Sequence, residues 1–243
     1  MKDNLKDLID HTHGLGGIDT VKIVGTDIET TLNAVADDKS VIINGTFKNP
    51  IADFIGTFGM PNLSKLKTIV GFDTYDDDAT ISVSRGSGGD ASIPVGIHFE
   101  TKTKDFINDY RFMSKALAEE KVRGVSFRGA TWNVTFEPSV VNILRLKKQA
   151  QANSEEVNCV IKVENGDLKM YFGDPSTHSG NFVFHSGVIG SLTRAWMYPV
   201  KQIMAILDLV GDKTMRIADA GALEISIDSG IAVYSYLLPA QAK

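Results

Sequence analysis

The order helix, several strands, helix, several strands occurs twice along the 243 residues, and this duplication constrains the fold more than any single motif. The copies take roughly 115 and 120 residues, a period that marks a repeated domain rather than a solenoid. The best local match lies between residues 60–71, MPNLSKLKTIVG, and residues 198–211, YPVKQIMAILDLVG. In each, a methionine or aromatic residue precedes proline, an amphipathic stretch ends in Gly71 or Gly211, and an Asp/Lys turn leads to a strand. Pro61 and Pro199 are read as opening the helices, since proline fits a first helical turn. Leu63, Leu66, Ile69 and Val70 form the apolar arc of the first helix, with Lys65 opposite and Lys67 on the flank. Val200, Ile203, Ile206, Leu207 and Val210 form that of the second.

The rest of each copy follows from the same patterning. Near the start, Leu5, Leu8, Ile9 and Thr12 share one side of a helix that Gly14, Gly16 and Gly17 stop. TVKIVG, ETTLNAVA and SVIINGTF read as strands parted by Asp-Lys, Gly and Asn-Gly turns, and ATISVSR, SIPVGIHFETKT and DFINDYRFM as further strands. SRGSGGD reads as a loop tip, and the charged run SKALAEEKVR, residues 114–123, as a connector. In the second copy, GATWNVTFE is a strand and Pro138 opens a helix with Val140, Ile143 and Leu144 on one side and Arg145 and Lys148 on another. EVNCVIKVE and DLKMYFG flank the hairpin dipeptide Asn165-Gly166, NFVFHSGV alternates, and TMRIADA, ALEISID and AVYSYLLP finish the chain. Two helices against many mostly antiparallel strands predict an α+β fold, with both helices of each half on one face of its sheet. The expected domains are residues 1–113 and 124–243, with 114–123 between them.

Charge is divided unevenly over this frame. The predicted helices, residues 2–13, 61–71, 138–152 and 194–209, hold nine positive and four negative side chains. With a chain total of −5, their +5 leaves −10 for everything else. The acidic balance argues against a protein that coats nucleic acid with its whole surface, while one basic face of helices suits a phosphate backbone contacted without reading sequence. The plainer alternative is an ordinary solvated face on each helix, and the N-terminal helix is itself acidic.

With the duplicated frame, the segments FEPSVVNILRLKKQAQ, YPVKQIMAILDLVGDKTMRI and MPNLSKLKTIVGFDTYDDDATISV, and the end ALEISIDSGIAVYSYLLPAQAK, the chain resembles the sliding DNA clamps. These DNA polymerase processivity factors include proliferating cell nuclear antigen and the clamps of T-even-type bacteriophages, and the N-terminal Met-Lys followed at once by a helix is the phage pattern. The resemblance implies a homotrimer of two clamp-type domains per chain, closed head to tail into a ring around double-stranded DNA. It implies helices lining the hole, with Lys6, Lys65, Lys67, Arg145, Lys148, Arg194 and Lys201 toward the duplex in loose, sliding contact. It implies a pocket for the peptide tails of a DNA polymerase or clamp loader, with Tyr110, Phe112, Met113 and Leu117 on the connector side and Leu237, Leu238 and Pro239 in the tail. Ring closure would pair DFINDYRFM with NFVFHSG of the next copy, placing Ile107 and Phe182 at the subunit interface. The alternatives are a β-rich oligomeric phage or virus structural protein, and an enzyme with an unrecognised cleft.

No catalytic constellation, cofactor or metal is expected. His11 and His13 are two apart on a helix and point in different directions. His178 and His185 lack companions in metal-binding order. Asp73, Asp76, Asp77 and Asp78 lack the glycine and the closing glutamate of a calcium loop. RGSGGD lacks the Lys-Ser/Thr of a phosphate loop, and FHSGVIG is not a nucleophile elbow. The single cysteine, Cys159, reads as a small core residue. The charged start and the lack of an apolar run near 20 residues suggest a cytoplasmic protein without membrane partners, the host cytoplasm if phage-encoded.

Overall fold

A computed structural model describes residues 1–75, 78–86, 93–123 and 131–241. They form two compact units, Met1–Val125 with Ser229–Tyr234, and Ser126–Asp228 with Ser235–Lys243. The first unit holds α1 (Lys2–His11), β1 (Thr20–Gly25), β2 (Thr30–Val35), β3 (Ile42–Phe47), β4 (Gly56–Pro61), α2 (Leu63–Val70), β5 (Thr80–Arg85), β6 (Pro94–Glu100), β7 (Ile107–Arg111) and α3 (Lys115–Lys121). Its strands run in the orders β4-β1-β2-β3 and β5-β6-β7, every adjacent pair antiparallel. The second unit holds β8 (Val134–Phe136), α4 (Val140–Ala152), β9 (Asn158–Glu164), β10 (Asp167–Gly173), β11 (Ser179–His185), β12 (Trp196–Pro199), α5 (Val200–Leu207), β13 (Asp212–Ala218), β14 (Ala222–Asp228) and most of β15 (Ala232–Pro239). Its orders are β11-β10-β9-β12 and β8-β13-β14-β15.

In the first unit, alternation along β1 and β2 buries Val21, Ile23, Leu32 and Ala34, and the apolar sides of α1 and α2 bury Leu5, Leu8, Leu63 and Leu66. The residues that return last in the chain complete this unit. Tyr234 is fully buried, its ring stacks on His11 with centroids 4.4 Å apart, and its hydroxyl donates to Asp7 Oδ2 at 2.7 Å. Ser229 Oγ donates to the same carboxylate oxygen at 3.1 Å. Gly45 explains why Asn44-Gly45 is no turn: it lies inside β3, where a Cβ would come within 2.8 Å of Leu32 Cγ and 3.1 Å of Tyr234 Cδ1. Asn165-Gly166, by contrast, makes the expected hairpin turn, with φ of 54° and 80°.

The helix starts differ from the proline reading. Pro61 ends β4, and Asn62 caps α2 by accepting from the Lys65 N–H at 3.1 Å. Ser139, not Pro138, caps α4, and Pro199 closes β12 just before α5. Strands β4 and β12, unmarked in the sequence reading, occupy the residues leading into those prolines. Leu207 ends α5, so Val210 and Gly211 lie beyond it and Val210 is exposed. Within the run read as a connector, Lys115–Lys121 forms a helix, α3, packed on β4 and β1 with Ala118 buried. It fits because β4 presents Gly59 there, where a Cβ would lie 2.9 Å from Ala118 Cβ and 2.3 Å from Met113 Cγ. Helix α4 is turned from its expected orientation. Leu146 and Ala150 are buried, whereas Val140, Val141 and Leu144 are 73%, 65% and 52% exposed.

Candidate functional site

Within the first unit α1 packs beside α2, and within the second α4 packs beside α5. Helices α1, α2 and α5 turn their long apolar residues inward, and α4 packs through Leu146 and Ala150, so the charged residues are left at the surface. Lys6 is exposed on α1 with Asp3 and Asp10, and Lys65 and Lys67 are exposed on α2 without an acidic neighbour on that helix. In the second unit Arg145 and Lys148 on α4 and Lys201 on α5 are exposed. Arg145 leans over the Phe182 ring, 5.5 Å from its centroid, and Lys147 pairs with Asp208 at the end of α5. Arg194 is exposed but lies in the loop before β12, not on a helix. Counted over the observed bounds of α1, α2, α4 and α5, the net charge is +5, and α3 adds none. Lysine and arginine side chains of this kind can contact phosphates by charge without reading sequence.

The residues expected at a peptide pocket differ in exposure. Phe112 and Met113 line a cavity of about 650 Å³ in the first unit, walled by the segments Gly56–Phe58, Ile93–Val95 and Phe112–Ala116. Tyr110 is buried, its hydroxyl donates to the Pro61 carbonyl, and burial pushes its phenol well above the usual range. Leu117 is exposed on α3. In the second unit, Leu238 is core, while Pro239 is exposed at the end of β15. Of the two interface candidates, Ile107 is 49% exposed on β7, which ends the β5-β6-β7 order. Phe182, on the terminal strand β11 of its sheet, is buried against Phe184 and beneath Arg145.

A group that sequence reasoning missed crosses β6 and β7. His98 Nδ1 lies 2.9 Å from Asp109 Oδ1 and its Nε2 3.1 Å from Glu100 Oε2, with Lys104 3.7 Å from the other Glu100 oxygen. The hydrogen bonds to Asp109 and then Glu100 raise the imidazole above its ordinary value. Glu100 lies two residues along β6 from His98, but only the cross-strand register sets Asp109 opposite His98 and completes the group. In the second unit, Glu164 at the β9-β10 hairpin gathers Lys162, Tyr171 and Lys169, and those hydrogen bonds hold its carboxyl down to about 2. Burial pushes the Cys159 thiol up to about 12, which leaves it unreactive at neutral pH. His11 and His13 turn to separate carbonyls, of Asp7 and Ile18, at 3.0 Å each. Among the described residues no group of three His, Cys, Asp or Glu side chains could hold a metal, and no helix is long and apolar enough to cross a membrane. SRGSGGD, for residues 87–90, and DTYDDDA, at Asp76 and Asp77, lie outside the described residues.

No protein family model and no curated protein matches the sequence. Among solved structures the chain is similar to a PCNA chain in the structure titled C-terminal region of FEN-1 bound to A. fulgidus PCNA, with a TM-score of 0.67 and 10% sequence identity. The match covers 100% of this chain and 96% of that one. At this identity the likeness is one of architecture, and the architecture is a mixed α+β, two-domain, PCNA-like clamp fold.

Proposed function

We propose that the chain is a sliding clamp, three copies of which close head to tail around duplex DNA and tether a DNA polymerase for processive synthesis. The observation that carries this reading is the charge division on a clamp fold: +5 on four surface helices against −10 for the rest of the chain. Lys6, Lys65, Lys67, Arg145, Lys148 and Lys201 are the DNA-facing side chains, joined by Arg194 from its loop. Their contacts are to phosphates and are sequence-independent, and retention comes from enclosure rather than tight binding. A clamp loader opens the ring, and the chain performs no chemistry. The similar structure holds the C-terminal region of another protein on PCNA, which favours a peptide-holding role beside Phe112 and Met113.

Ring closure joins the free edges of β7 and β11 from neighbouring copies, since each ends its own sheet order. Light scattering over a dilution series tests it. The native chain is expected near three times 26.4 kDa. Ile107→Glu, at a side chain 49% exposed on β7, should shift the mass toward a single chain. A native monomer at high concentration, or an Ile107→Glu trimer as stable as the native one, contradicts this closure.

A further inference from the structure

Helix α4 holds the terminal strand β11 through two side chains one turn apart, Arg145 and Gln149. The backbone parity of β11 follows from the hairpin at Asn165-Gly166, where Glu164 and Asp167 face each other across a two-residue turn. Alternation from that pair turns the backbone groups of Met170 and Phe172 toward β11, and those of Phe182 and Gly180 back toward β10. Asn181, between these two, directs its N–H and C=O away from the sheet. Its carbonyl accepts from Gln149 Nε2 at 3.0 Å. Gln149 is itself fixed: its Oε1 accepts from Asn153 Nδ2 at 3.3 Å, and the same Nδ2 donates to the Gln149 carbonyl at 2.8 Å. The two amides lie this close to the strand because residue 180 is glycine, where a Cβ would stand 2.8 Å from Asn153 Nδ2 and 3.0 Å from Gln149 Oε1. The Arg145 guanidinium covers the Phe182 ring, which is buried against Phe184. Among the described residues the outward N–H of Asn181 has no partner. The edge of β7 is its complement: Phe112 N–H donates to the Val95 carbonyl and Thr101 N–H to the Phe106 carbonyl, which sets the backbone groups of Ile107, Asp109 and Arg111 outward.

We infer that Arg145 and Gln149 are positioning residues that brace β11 as a preformed docking edge for β7 of a second copy of the chain. The inference rests on the ring closure proposed above and adds what makes that edge competent. A terminal strand is held by one neighbour only and frays, and a frayed strand must be ordered when its partner arrives, at a cost to affinity. The brace supplies that order beforehand, from a helix rather than from a second strand. Because a carbonyl accepts two hydrogen bonds, Gln149 does not have to leave Asn181 when the second copy arrives. Arg145 has separate uses for its charge and its plane: the charge serves the proposed phosphate contacts, and the plane covers Phe182.

Light scattering over a dilution series tests it, together with hydrogen exchange read by mass spectrometry on the dilute, unassembled chain. Gln149→Leu keeps the bulk and removes the donor. Gly180→Ala keeps both amides and displaces them from the strand. Arg145→Lys keeps the charge and loses the planar stack. Each should raise the concentration at half-assembly by about two- to tenfold, the scale of one hydrogen bond or cation–π contact. Each should also quicken exchange in β11 and leave β9 and β10 as in the native chain. Gln151→Leu, at an exposed position of α4, should change neither. Arg145→Lys rings, once formed, should stay on closed circular DNA as native rings do. Native-like assembly and native-like β11 exchange in Gln149→Leu and Gly180→Ala overturn the brace and leave the ring reading intact. Exchange that quickens evenly across the second unit also overturns it, since that marks a general loss of stability. A native chain that stays single at every concentration removes ring closure, and this docking role with it.

Discussion

Tyr234→Phe isolates the bond that ties the end of the chain to its first helix. The substitution keeps the ring stacked 4.4 Å over His11 and removes the hydroxyl that donates to Asp7 Oδ2 at 2.7 Å. The Asp7 side chain is only 9% exposed, so water cannot easily take the vacated position. A hydrogen bond to a charged group contributes about 1.5–3 kcal/mol. Because Ser229 Oγ still donates to the same oxygen at 3.1 Å, the loss should fall in the lower part of that range, about 1.5–2 kcal/mol. Both tryptophans, Trp132 and Trp196, belong to the second unit, so their fluorescence is a poor reporter. Urea unfolding followed by far-ultraviolet circular dichroism, with hydrogen exchange of the β1 and β2 amides, reads the first unit instead. A double-mutant cycle with Asp7→Ala should give a coupling of about 1–2 kcal/mol. A coupling below about 0.5 kcal/mol would show that the bond does not hold the returning strand to α1.

The double substitution Lys65→Ala with Lys67→Ala should leave the assembly mass unchanged, lower retention on DNA, and reduce its salt dependence, measured between 50 and 200 mM salt; unchanged salt dependence would remove α2 from the DNA-facing surface. His98 adds a pH dependence whose sign follows from its raised folded-state value. Its contribution is complete below the ordinary 6.5 and is lost as pH rises through the raised value, as the imidazolium between Asp109 and Glu100 loses its charge. Melting temperature should therefore fall across that window in the native chain and fall less in His98→Gln, with Lys104 beside Glu100 moderating the effect. Parallel profiles for the two proteins would refute it.

What the sequence discloses depends on whether burial follows a local period. Helices α2 and α5 were legible because Leu63, Leu66, Ile69 and Val70, and Val200, Ile203, Ile206 and Leu207, repeat at helical spacing and are all buried. Helix α3 was not, because it docks through one small residue, Ala118, against a glycine, and such a contact leaves no apolar stripe. The expected apolar side of α4, Val140, Ile143 and Leu144, misled for the opposite reason: Val140 and Leu144 are exposed while Leu146 and Ala150 pack. Asn44-Gly45 carries a turn's residues but answers to a tertiary demand, the approach of Leu32 and Tyr234. The exposed lysines of α2 and α5 followed from the same periodicity, since a buried arc fixes its opposite face. The His98 group could not be read this way, because Asp109 meets His98 only through register between strands.

Enclosure of DNA is the central claim, and a duplex with controllable ends tests it most directly. The protein is assembled on a nicked circle with a clamp loader or by spontaneous opening, excess protein is washed away in salt, and the retained fraction is followed before and after one restriction cut. The account predicts retention on the closed circle, rapid loss after the cut, and restored retention when bulky blocks cap both ends. Equal dissociation from circle and cut duplex would show that the chain binds DNA as a surface ligand, and no loading under any condition would return it to the oligomeric structural proteins.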